Sequence, residues 1–381
     1  MIGPSSPQPL EILAVYGTRP EAIKMAPVLS ALKRRPALFS VRVCTSGQHR
    51  EMLDQVQEIF GLRPDLDLGL MRHDQTLNGL AAAALAAMDE VLVSRRPDWL
   101  LVQGDTTTAM TAALAAFHRG VRVGHVEAGL RTGDLQRPFP EEANRRIVDL
   151  LADALFAPTE RSRAALLAEG CDPGKVHVVG NTVIDALEAL AVGGPAEPPQ
   201  EDEVLITVHR RESFGAPLRG IFTALRRLAE AFPGVVFVYP VHRNPNVLGP
   251  AREILGGLAN LELCEPLDYR ELVTRLSRCR FVLTDSGGIQ EEAPAFGKPV
   301  LVLRNTTERP EGVEAGVARL AGTDPGRIFA EASRLLTCRE AYLAMARAVN
   351  PYGDGRAAER IAAVLAGEPW TPFRPLPLSP P

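Results

Sequence analysis

The segment ILAVYGTRPEAIKMAPV, residues 12–28, guides the interpretation of the whole chain. It begins with a short apolar run that is typical of a buried strand. It then passes through Gly17 and places Pro20 at the start of a stretch that favours a helix. A strand that leads through a short polar turn into a helix is the first half of a βα unit.

The same alternation of short apolar runs and longer amphipathic stretches continues almost to the end of the chain. These runs predict parallel strands that are buried on both faces, and hence an α/β fold. The predicted strands are residues 12–17, 41–47, 99–104, 121–128, 154–159 and 176–180 in the first half, and 204–210, 235–242, 261–267, 281–287 and 299–305 in the second.

The length of 381 residues fits two domains of the usual size. Residues 192–203, VGGPAEPPQEDE, combine Gly, Pro and acidic residues and predict an exposed connection. We therefore predict two Rossmann-like doubly wound domains that face a central cleft. Residues 1–195 would carry the candidate carboxylates, and residues 196–368 would end in a helix able to pack back on the first domain. Residues 369–381 form a Pro-rich tail that is predicted to be disordered.

Composition argues against several classes of protein. With 42 Lys and Arg against 46 Asp and Glu, the net charge of −4 provides no broad basic surface for nucleic acid. Neither a signal peptide nor a run of about 18 apolar residues is evident, so no membrane segment is predicted. The five cysteines are widely spaced without a C-x-x-C pair, which predicts reduced, mostly buried thiols in a cytoplasmic protein and no metal centre.

Charged side chains follow the predicted strands of the first half. Arg19 and Lys24 flank the start of the first helix, a position that suits an anion, although a capped helix with two solvated cations is the alternative. Asp105 follows the third predicted strand and could equally be a helix N-cap. Glu127 lies at the end of the fourth.

Glu141 begins the helix that follows, and it could form only a surface pair with Arg145 four residues later. The positions of three acidic residues argue against a purely structural role for Glu141. Asp105, Glu127 and Glu141 all lie at or just beyond strand ends of one domain. A cleft gathers carboxylates in this way for acid–base chemistry.

In the second half, His209 and Arg211 follow one predicted strand and His242 follows the next. Isolated histidines are more often structural than catalytic, so these residues alone do not indicate a functional site.

The sharper pattern is a strand that runs into Ser286, Gly287 and Gly288 and then into a helix. Backbone N–H groups at such a turn can bind a phosphate. Glu292 lies about one turn further on, where it could accept from a ribose diol, and Arg309 is a candidate phosphate cation.

Several familiar motifs are missing from the sequence. It contains no G-x-G-x-x-G after a strand and no G-x-x-x-x-G-K-[ST], which disfavours simple hydride transfer on NAD and P-loop chemistry. It also lacks a G-x-S-x-G elbow and an H-E-x-x-H helix, which removes the commonest hydrolase classes.

Taken together, the motifs resemble one family closely, the non-hydrolysing UDP-N-acetylglucosamine 2-epimerases of bacteria. The matching segments are GTRPEAIKMAPV, TSGQHREMLDQV, VQGDTTT, HVEAGLRTGDLQRPFPEEANRR, VVGNTVID, TVHRRESFG, YPVHRNPNV and LTDSGGIQEEAPAFGKPVLVLRNTTERPE. They occur in consistent order from about residue 11 to 315. The resemblance implies a GT-B-like fold and the interconversion of UDP-N-acetylglucosamine and UDP-N-acetylmannosamine for surface polysaccharide synthesis, without cofactor or metal.

The resemblance also implies roles for individual residues. The catalytic set would be Asp105, Glu127 and Glu141, assisted by His209 and Arg145, and the UDP-sugar would be bound by Arg19, Lys24, Asp105, Glu127, His209, Ser286, Gly287, Gly288, Glu292 and Arg309. Some members bind a second UDP-N-acetylglucosamine as activator, at positions that match Gln48, His49, Arg211 and His242, although Glu51 departs from that motif. Members are commonly homodimers.

The implied chemistry is anti elimination of UDP, a 2-acetamidoglucal intermediate, and re-addition of UDP after protonation from the other face. Four alternatives remain open: a GT-B glycosyltransferase that needs an acceptor, a hydrolysing epimerase, a catalytically silent nucleotide-sugar sensor, and an epimerase of diacetamido sugar nucleotides. The three acids argue against the sensor, because binding an anionic ligand would not favour them.

Overall fold

The computed structural model describes residues 8–47, 50–72, 75–190 and 202–375. The chain divides into two compact units, one running up to residue 189 together with 353–374, the other spanning 190–352. Most of the predicted connection at 192–203 lies outside the described residues.

The first unit is built on one parallel sheet of seven strands in the order β3-β2-β1-β4-β5-β6-β7. The strands are β1 (Leu10–Tyr16), β2 (Phe39–Thr45), β3 (Leu66–Asp67), β4 (Trp99–Gln103), β5 (Arg122–Val126), β6 (Ala154–Ala157) and β7 (Val176–Val178). The helices between them are α1 (Arg19–Lys33), α2 (Arg50–Ile59), α3 (Leu77–Arg95), α4 (Thr107–His118), α5 (Glu141–Leu151) and α6 (Glu160–Ala168), and α7 (Thr182–Leu190) follows the last strand.

The second unit contains a parallel sheet of six strands in the order β10-β9-β8-β11-β12-β13. The strands are β8 (Glu203–Thr207), β9 (Val236–Pro240), β10 (Leu261–Cys264), β11 (Phe281–Thr284), β12 (Val300–Val302) and β13 (Ala318–Leu320). Its helices are α8 (Ala216–Ala231), α9 (Pro245–Leu255), α10 (Tyr269–Arg278), α11 (Gly287–Glu292), α12 (Pro310–Glu314), α13 (Pro325–Thr337) and α14 (Arg339–Ala346).

Both sheets share one topology, since six strands of each follow the order 3-2-1-4-5-6 when counted within the unit. This is the order of a Rossmann-type doubly wound sheet, so the predicted fold class is confirmed. The strand order reverses between β1 and β4 in one sheet and between β8 and β11 in the other. Ligands of such sheets bind beyond the carboxyl ends of the strands at these reversal points.

The strand prediction was wrong in two respects. It missed the short edge strands β3 and β13, because Asp67 in β3 and Arg319 in β13 interrupt any apolar run. It also extended several strands past their true ends. The residues after those ends, such as Glu127, belong to the loops that concern function.

Two segments differ from the sequence expectations. Part of the predicted disordered tail is ordered: Phe373 is buried beneath the Arg360 guanidinium, and its backbone N–H donates to Val178 O at 2.9 Å. Among the described helices, α3 is the one with the length and apolar composition to cross a membrane, a test that core helices of soluble proteins also pass.

Residues 353–374 contain the last helix, α15 (Ala357–Ala366), which packs on α1 of the first unit. The N-terminus of α15 is capped from a distant part of the chain: Asp185 accepts from the backbone N–H groups of Ala357 and Ala358 at 3.2 and 2.8 Å. Burial raises the pKa of Asp185 to about 7, although these two donors act in the opposite direction.

This contact predicts a pH-dependent stability of the first unit. Because the folded-state pKa lies above the ordinary carboxyl value, the protonated Asp185 stabilises the fold at low pH and this contribution is lost as the pH rises through about 7. Relative to Asp185→Asn, which does not titrate, the wild-type free energy of unfolding should fall by about 2 kcal/mol between pH 5 and pH 8.

Denaturant unfolding followed by tryptophan fluorescence measures this difference in the first unit alone, because Trp99 and Trp370 are the two tryptophans of the chain and both lie there. Asp54→Asn, at an exposed position on α2, is the control: it retains Asp185, so its free energy of unfolding should fall between pH 5 and pH 8 by as much as that of wild type. A difference between wild type and Asp185→Asn that stays constant from pH 5 to pH 8 would contradict the prediction.

Candidate active site

Three adjacent strands of the first unit, β1, β4 and β5, carry the predicted acidic and basic residues at their carboxyl ends. Two ion pairs connect these loops to the neighbouring helices. Lys24 of α1 binds Glu127, and Arg145 of α5 binds Asp105. Arg19 is the first residue of α1 and is partly exposed. The structure therefore brings together four of the residues that the sequence singled out.

Glu127 has a backbone conformation that is costly for a residue with a side chain. Its φ is 70°, in the left-handed region, which costs about 1–3 kcal/mol for residues other than glycine. The backbone N–H groups of Glu127 and Ala128 both donate to Phe156 O at 3.1 Å, which stops the strand and turns the chain. Strain of this kind is concentrated at functional sites, so the conformation supports a role for the Glu127 side chain.

Two alternative interpretations are wrong: that Asp105 is a helix N-cap, and that Arg145 forms only a surface ion pair with Glu141. The N-cap of α4 is Thr106, whose hydroxyl accepts from Ala109 N at 3.0 Å, so Asp105 does not cap that helix. Arg145 is buried and pairs with Asp105 and with Glu142, rather than forming a surface pair with Glu141. The reason is that Arg145 lies on the inner face of α5, which turns toward the sheet.

Glu141 and Glu142 are neighbours in the first turn of α5, but their carboxylates differ in their hydrogen-bond partners. Glu142 is fully buried and accepts from the backbone N–H groups of Thr132 and Gly133 at 3.1 and 3.3 Å, which fixes the loop before the helix. Glu141 has a buried carboxylate oxygen without a hydrogen-bond partner among the described residues. A buried acceptor of this kind needs a partner, which a bound molecule can supply.

Sequence analysis missed Glu21, which connects two of the site loops. Its carboxylate accepts from Gly17 N at 3.1 Å and from the backbone N–H and hydroxyl of Thr18, both at 2.7 Å, and its other oxygen accepts from the Thr106 hydroxyl at 2.7 Å. Burial raises the pKa of Glu21, and these donors oppose that rise. The T-x-x-E spacing of a capping box was the signal that could have found it.

In the second unit, the turn after β11 lies against a guanidinium group. Ser286 precedes α11, and a Cβ on Gly287 would lie 2.7 Å from Arg309 Nη1. Arg309 itself binds Glu291 at 2.8 Å and Glu308 at 2.9 Å. Two carboxylates thus fix the guanidinium beside the glycines.

Glu308 lies in the polar run between Arg304 and Arg309 and was not among the predicted site residues. It binds Arg304 at 2.7 Å as well as Arg309, and Arg210 lies 3.8 Å away. Burial alone would raise its pKa, but the charges of Arg309 and Arg304 lower it to about 2. The polar run after β12 was the signal in the sequence.

His209 is positioned by a buried acid on the adjacent strand end. Asp285 accepts from the backbone N–H groups of His209 at 2.9 Å and of Arg210 at 2.8 Å. The His209 ring stacks on His242 with centroids 5.7 Å apart and an interplanar angle of 10°. Burial lowers the pKa of His209, so its neutral form is favoured near pH 7.

The other predicted residues differ in exposure. Glu292 is buried at the end of α11, and Arg211 and His242 are exposed. Gln48 and His49, predicted for an activator site, lie outside the described residues. Among the residues that are described, no group of three or more His, Cys, Asp or Glu is arranged to hold a metal ion.

Comparison with known proteins decides the family. The family model for UDP-N-acetylglucosamine 2-epimerase matches residues 30–366. The chain belongs to this family. The UDP-N-acetylglucosamine 2-epimerase of Escherichia coli K12 is 48% identical over 370 residues, which cover 93% of this chain and 98% of the relative.

Solved structures of the UDP-N-acetylglucosamine 2-epimerase family agree with the fold. The Neisseria meningitidis UDP-GlcNAc 2-epimerase bound to UDP-GlcNAc superposes with a TM-score of 0.87 at 44% identity, covering 94% of this chain and 100% of that one. A complex of Staphylococcus aureus MnaA with UDP gives a TM-score of 0.84 at 45% identity, covering 92% and 95%. The resemblance seen in the sequence motifs is thereby confirmed at the level of the family.

Proposed function

We propose that this chain is a non-hydrolysing UDP-N-acetylglucosamine 2-epimerase that interconverts UDP-N-acetylglucosamine and UDP-N-acetylmannosamine, and that its product enters surface polysaccharide synthesis. The observation that carries the proposal is the pair of carboxylates at adjacent strand ends of the first unit, Asp105 and Glu127, each held by a cation from a neighbouring helix. Relatives that share nearly half of the sequence are epimerases by name, and one of the related structures contains UDP-GlcNAc.

The chemistry explains why carboxylates and cations are both needed. The C2 proton of an acetamido sugar has no carbonyl beside it, so its direct removal would leave an unstabilised carbanion. If the C1–O bond to UDP breaks as a carboxylate takes the C2 proton, the electron pair forms a C1=C2 double bond and the charge leaves on the β-phosphate. Protonation of C2 from the opposite face and return of UDP to C1 complete the inversion.

Each residue set has a distinct task in this proposal. Asp105, Glu127 and Glu141 would hold and move the C2 proton on the two faces of the sugar. Arg309 and the backbone N–H groups of Gly287 and Gly288 would stabilise the phosphate charge as UDP departs. His209, Glu292, Arg19 and Lys24 would complete the UDP-sugar contacts, with Arg145 fixing Asp105.

Proton NMR of the purified protein with UDP-N-acetylglucosamine in D2O, without NAD, metal or acceptor, tests the reaction. We expect UDP-N-acetylmannosamine with deuterium at C2. Asp105→Asn, Glu127→Gln and Glu141→Gln should each lower kcat by about 100-fold or more, since each removes one acid–base group. Asp54→Asn, at an exposed position away from the strand ends, should leave kcat unchanged.

The other outcomes of this experiment separate the alternatives. Accumulation of UDP and free N-acetylmannosamine would identify a hydrolysing epimerase. An unchanged spectrum would contradict the proposal and leave a diacetamido sugar nucleotide or a glycosyltransferase reaction as the next candidates.

Steady-state kinetics test whether UDP-N-acetylglucosamine is also an activator. If it is, the rate of wild type should depend sigmoidally on substrate concentration, and His242→Ala should make this dependence hyperbolic. Identical curves for the two proteins would contradict the activator role.

The two glycines of the 286–288 turn provide a matched test of UDP binding. A Cβ on Gly287 would lie 2.7 Å from Arg309 Nη1, whereas a Cβ on Gly288 would meet its nearest neighbour, Glu292, at an ordinary 3.5 Å. Gly287→Ala should therefore displace the guanidinium and weaken UDP binding at least tenfold, and Gly288→Ala should weaken it much less. Titration calorimetry with UDP measures both, and equal affinities would show that Arg309 does not bind the diphosphate.

We also propose that the protein is a homodimer. Neighbouring helices α4 and α5 of the first unit expose large apolar side chains, with Phe117 56% and Leu150 82% exposed. Large exposed apolar side chains on neighbouring helices are a feature of interfaces between chains. Light scattering should give twice the mass of one chain, reduced to that of one chain by Leu150→Glu. A wild-type protein with the mass of a single chain would contradict the proposal.

A further inference from the structure

One buried histidine of the first unit is not among the residues assigned above to the proposed reaction. His125, on β5, is fully buried. Its Nδ1 lies 2.6 Å from a carboxylate oxygen of Asp149, and its Nε2 lies 2.8 Å from the carbonyl oxygen of Gly104. Because a carbonyl oxygen can only accept, Nε2 carries a proton and donates it to Gly104.

Asp149, on α5, is fixed by further donors. It is 3% exposed, binds Arg131 at 2.8 Å and accepts from Gly129 N at 3.2 Å. Arg131 in turn binds Glu169 at 2.6 Å. Burial raises the pKa of Asp149, but His125 and Arg131 outweigh it and lower the pKa, so the carboxylate stays ionised at neutral pH.

The carbonyl that His125 contacts belongs to the residue directly before Asp105. Gly104 has φ 69°, a left-handed conformation in which the chain turns sharply out of β4. On the far side of this turn, Asn144 Nδ2 donates to Asp105 O at 3.0 Å, and Arg145 binds the Asp105 carboxylate. The peptide groups on both sides of the Asp105 side chain are therefore fixed through α5, one by Asn144 directly and one by Asp149 through His125.

The same pair also reaches the loop after Glu127. Asp149 accepts from the N–H of Gly129, two residues beyond Glu127. A buried ion pair is weak evidence for stability, since apolar residues of similar volume often stabilise a core as well or better. What an apolar side chain could not supply at this place is a donor for the Gly104 carbonyl and an acceptor for the Gly129 N–H.

We propose that His125 and Asp149 are positioning residues for the reaction, holding the Gly104–Asp105 turn so that the Asp105 carboxylate reaches the sugar. This inference rests on the proposed function. A displacement of about 1 Å in such a group can cost about 100-fold in rate, so the effect belongs in kcat rather than in the affinity for UDP.

Two substitutions at the same position separate positioning from simple packing. The amide nitrogen of Gln can take the place of imidazole Nε2, so His125→Gln retains a donor for Gly104. The shorter Asn matches Nδ1 and retains only the contact with Asp149. We expect His125→Asn to lower kcat about 100-fold with KM changed less than about twofold, and His125→Gln to retain kcat within about tenfold of wild type.

The exposed His118 supplies the control, because His118→Asn removes an imidazole from the same unit without touching the turn. Asp149→Asn is a second variant should His125→Asn fail to fold, and it should lower kcat about tenfold with unchanged UDP affinity in calorimetry. Tryptophan fluorescence and circular dichroism establish folding of each variant. Equal losses of kcat in His125→Asn and His125→Gln, or a loss confined to KM, would overturn the proposal.

A crystal structure of His125→Asn provides a measurement that does not depend on turnover. The proposal requires the 104–105 turn to move and the Asp105–Arg145 ion pair to break. If wild type does not epimerise UDP-N-acetylglucosamine, the proposed function fails, but a displaced turn would still support the positioning role. A turn in its wild-type place would overturn it whatever reaction the protein catalyses.

Discussion

Parallel pairing of β1 with β4 in the first sheet, and of β8 with β11 in the second, is the constraint on which both units depend. Parallel strands must all return through a helix, so every carboxyl end emerges at the same edge of its sheet. At the point where the strand order reverses, the helices that follow the two central strands lie on opposite faces. The loops at this point are left uncovered, and Asp105, His209 and Ser286 lie in them.

The polar groups at these loops are held by buried carboxyl groups rather than by surface ion pairs. Glu21 fixes the turns after β1 and β4, and Asp285 fixes the turn after β8 through two backbone N–H groups. Each is a carboxylate buried because it satisfies donors that would otherwise be unpaired. In the first unit, the inner face of α5 extends this arrangement to Asp105 through Arg145. Hydrogen bonds to these buried groups therefore hold the loops, and the side chains that they carry, against the helices and strands of each unit.

The sequence predicted much of this arrangement, and the failures have physical causes. Apolar runs identified eleven strands, but a charged residue interrupts the run in each of the short strands β3 and β13. Residues directly after strands, such as Asp105, Glu127 and Ser286, were found because strand ends can be located from the pattern. Glu21, Asp285 and His125 were not selected, because their importance lies in contacts made across 85, 76 and 24 positions of sequence.

By itself, the sequence determined the doubly wound fold of each unit, the strand ends that carry polar residues, and the family, because these depend on local periodicity and on contiguous motifs. Only the tertiary structure decided that Arg145 binds Asp105 and not Glu141, that Glu127 has a left-handed backbone, and that Asp185 caps a helix more than 170 positions later. The physical reason is that a carboxylate pairs with the donor that packing brings within reach. Spacing along the chain gives the possible partners, and the packing of α5 against the first sheet and of α15 against α1 selects among them.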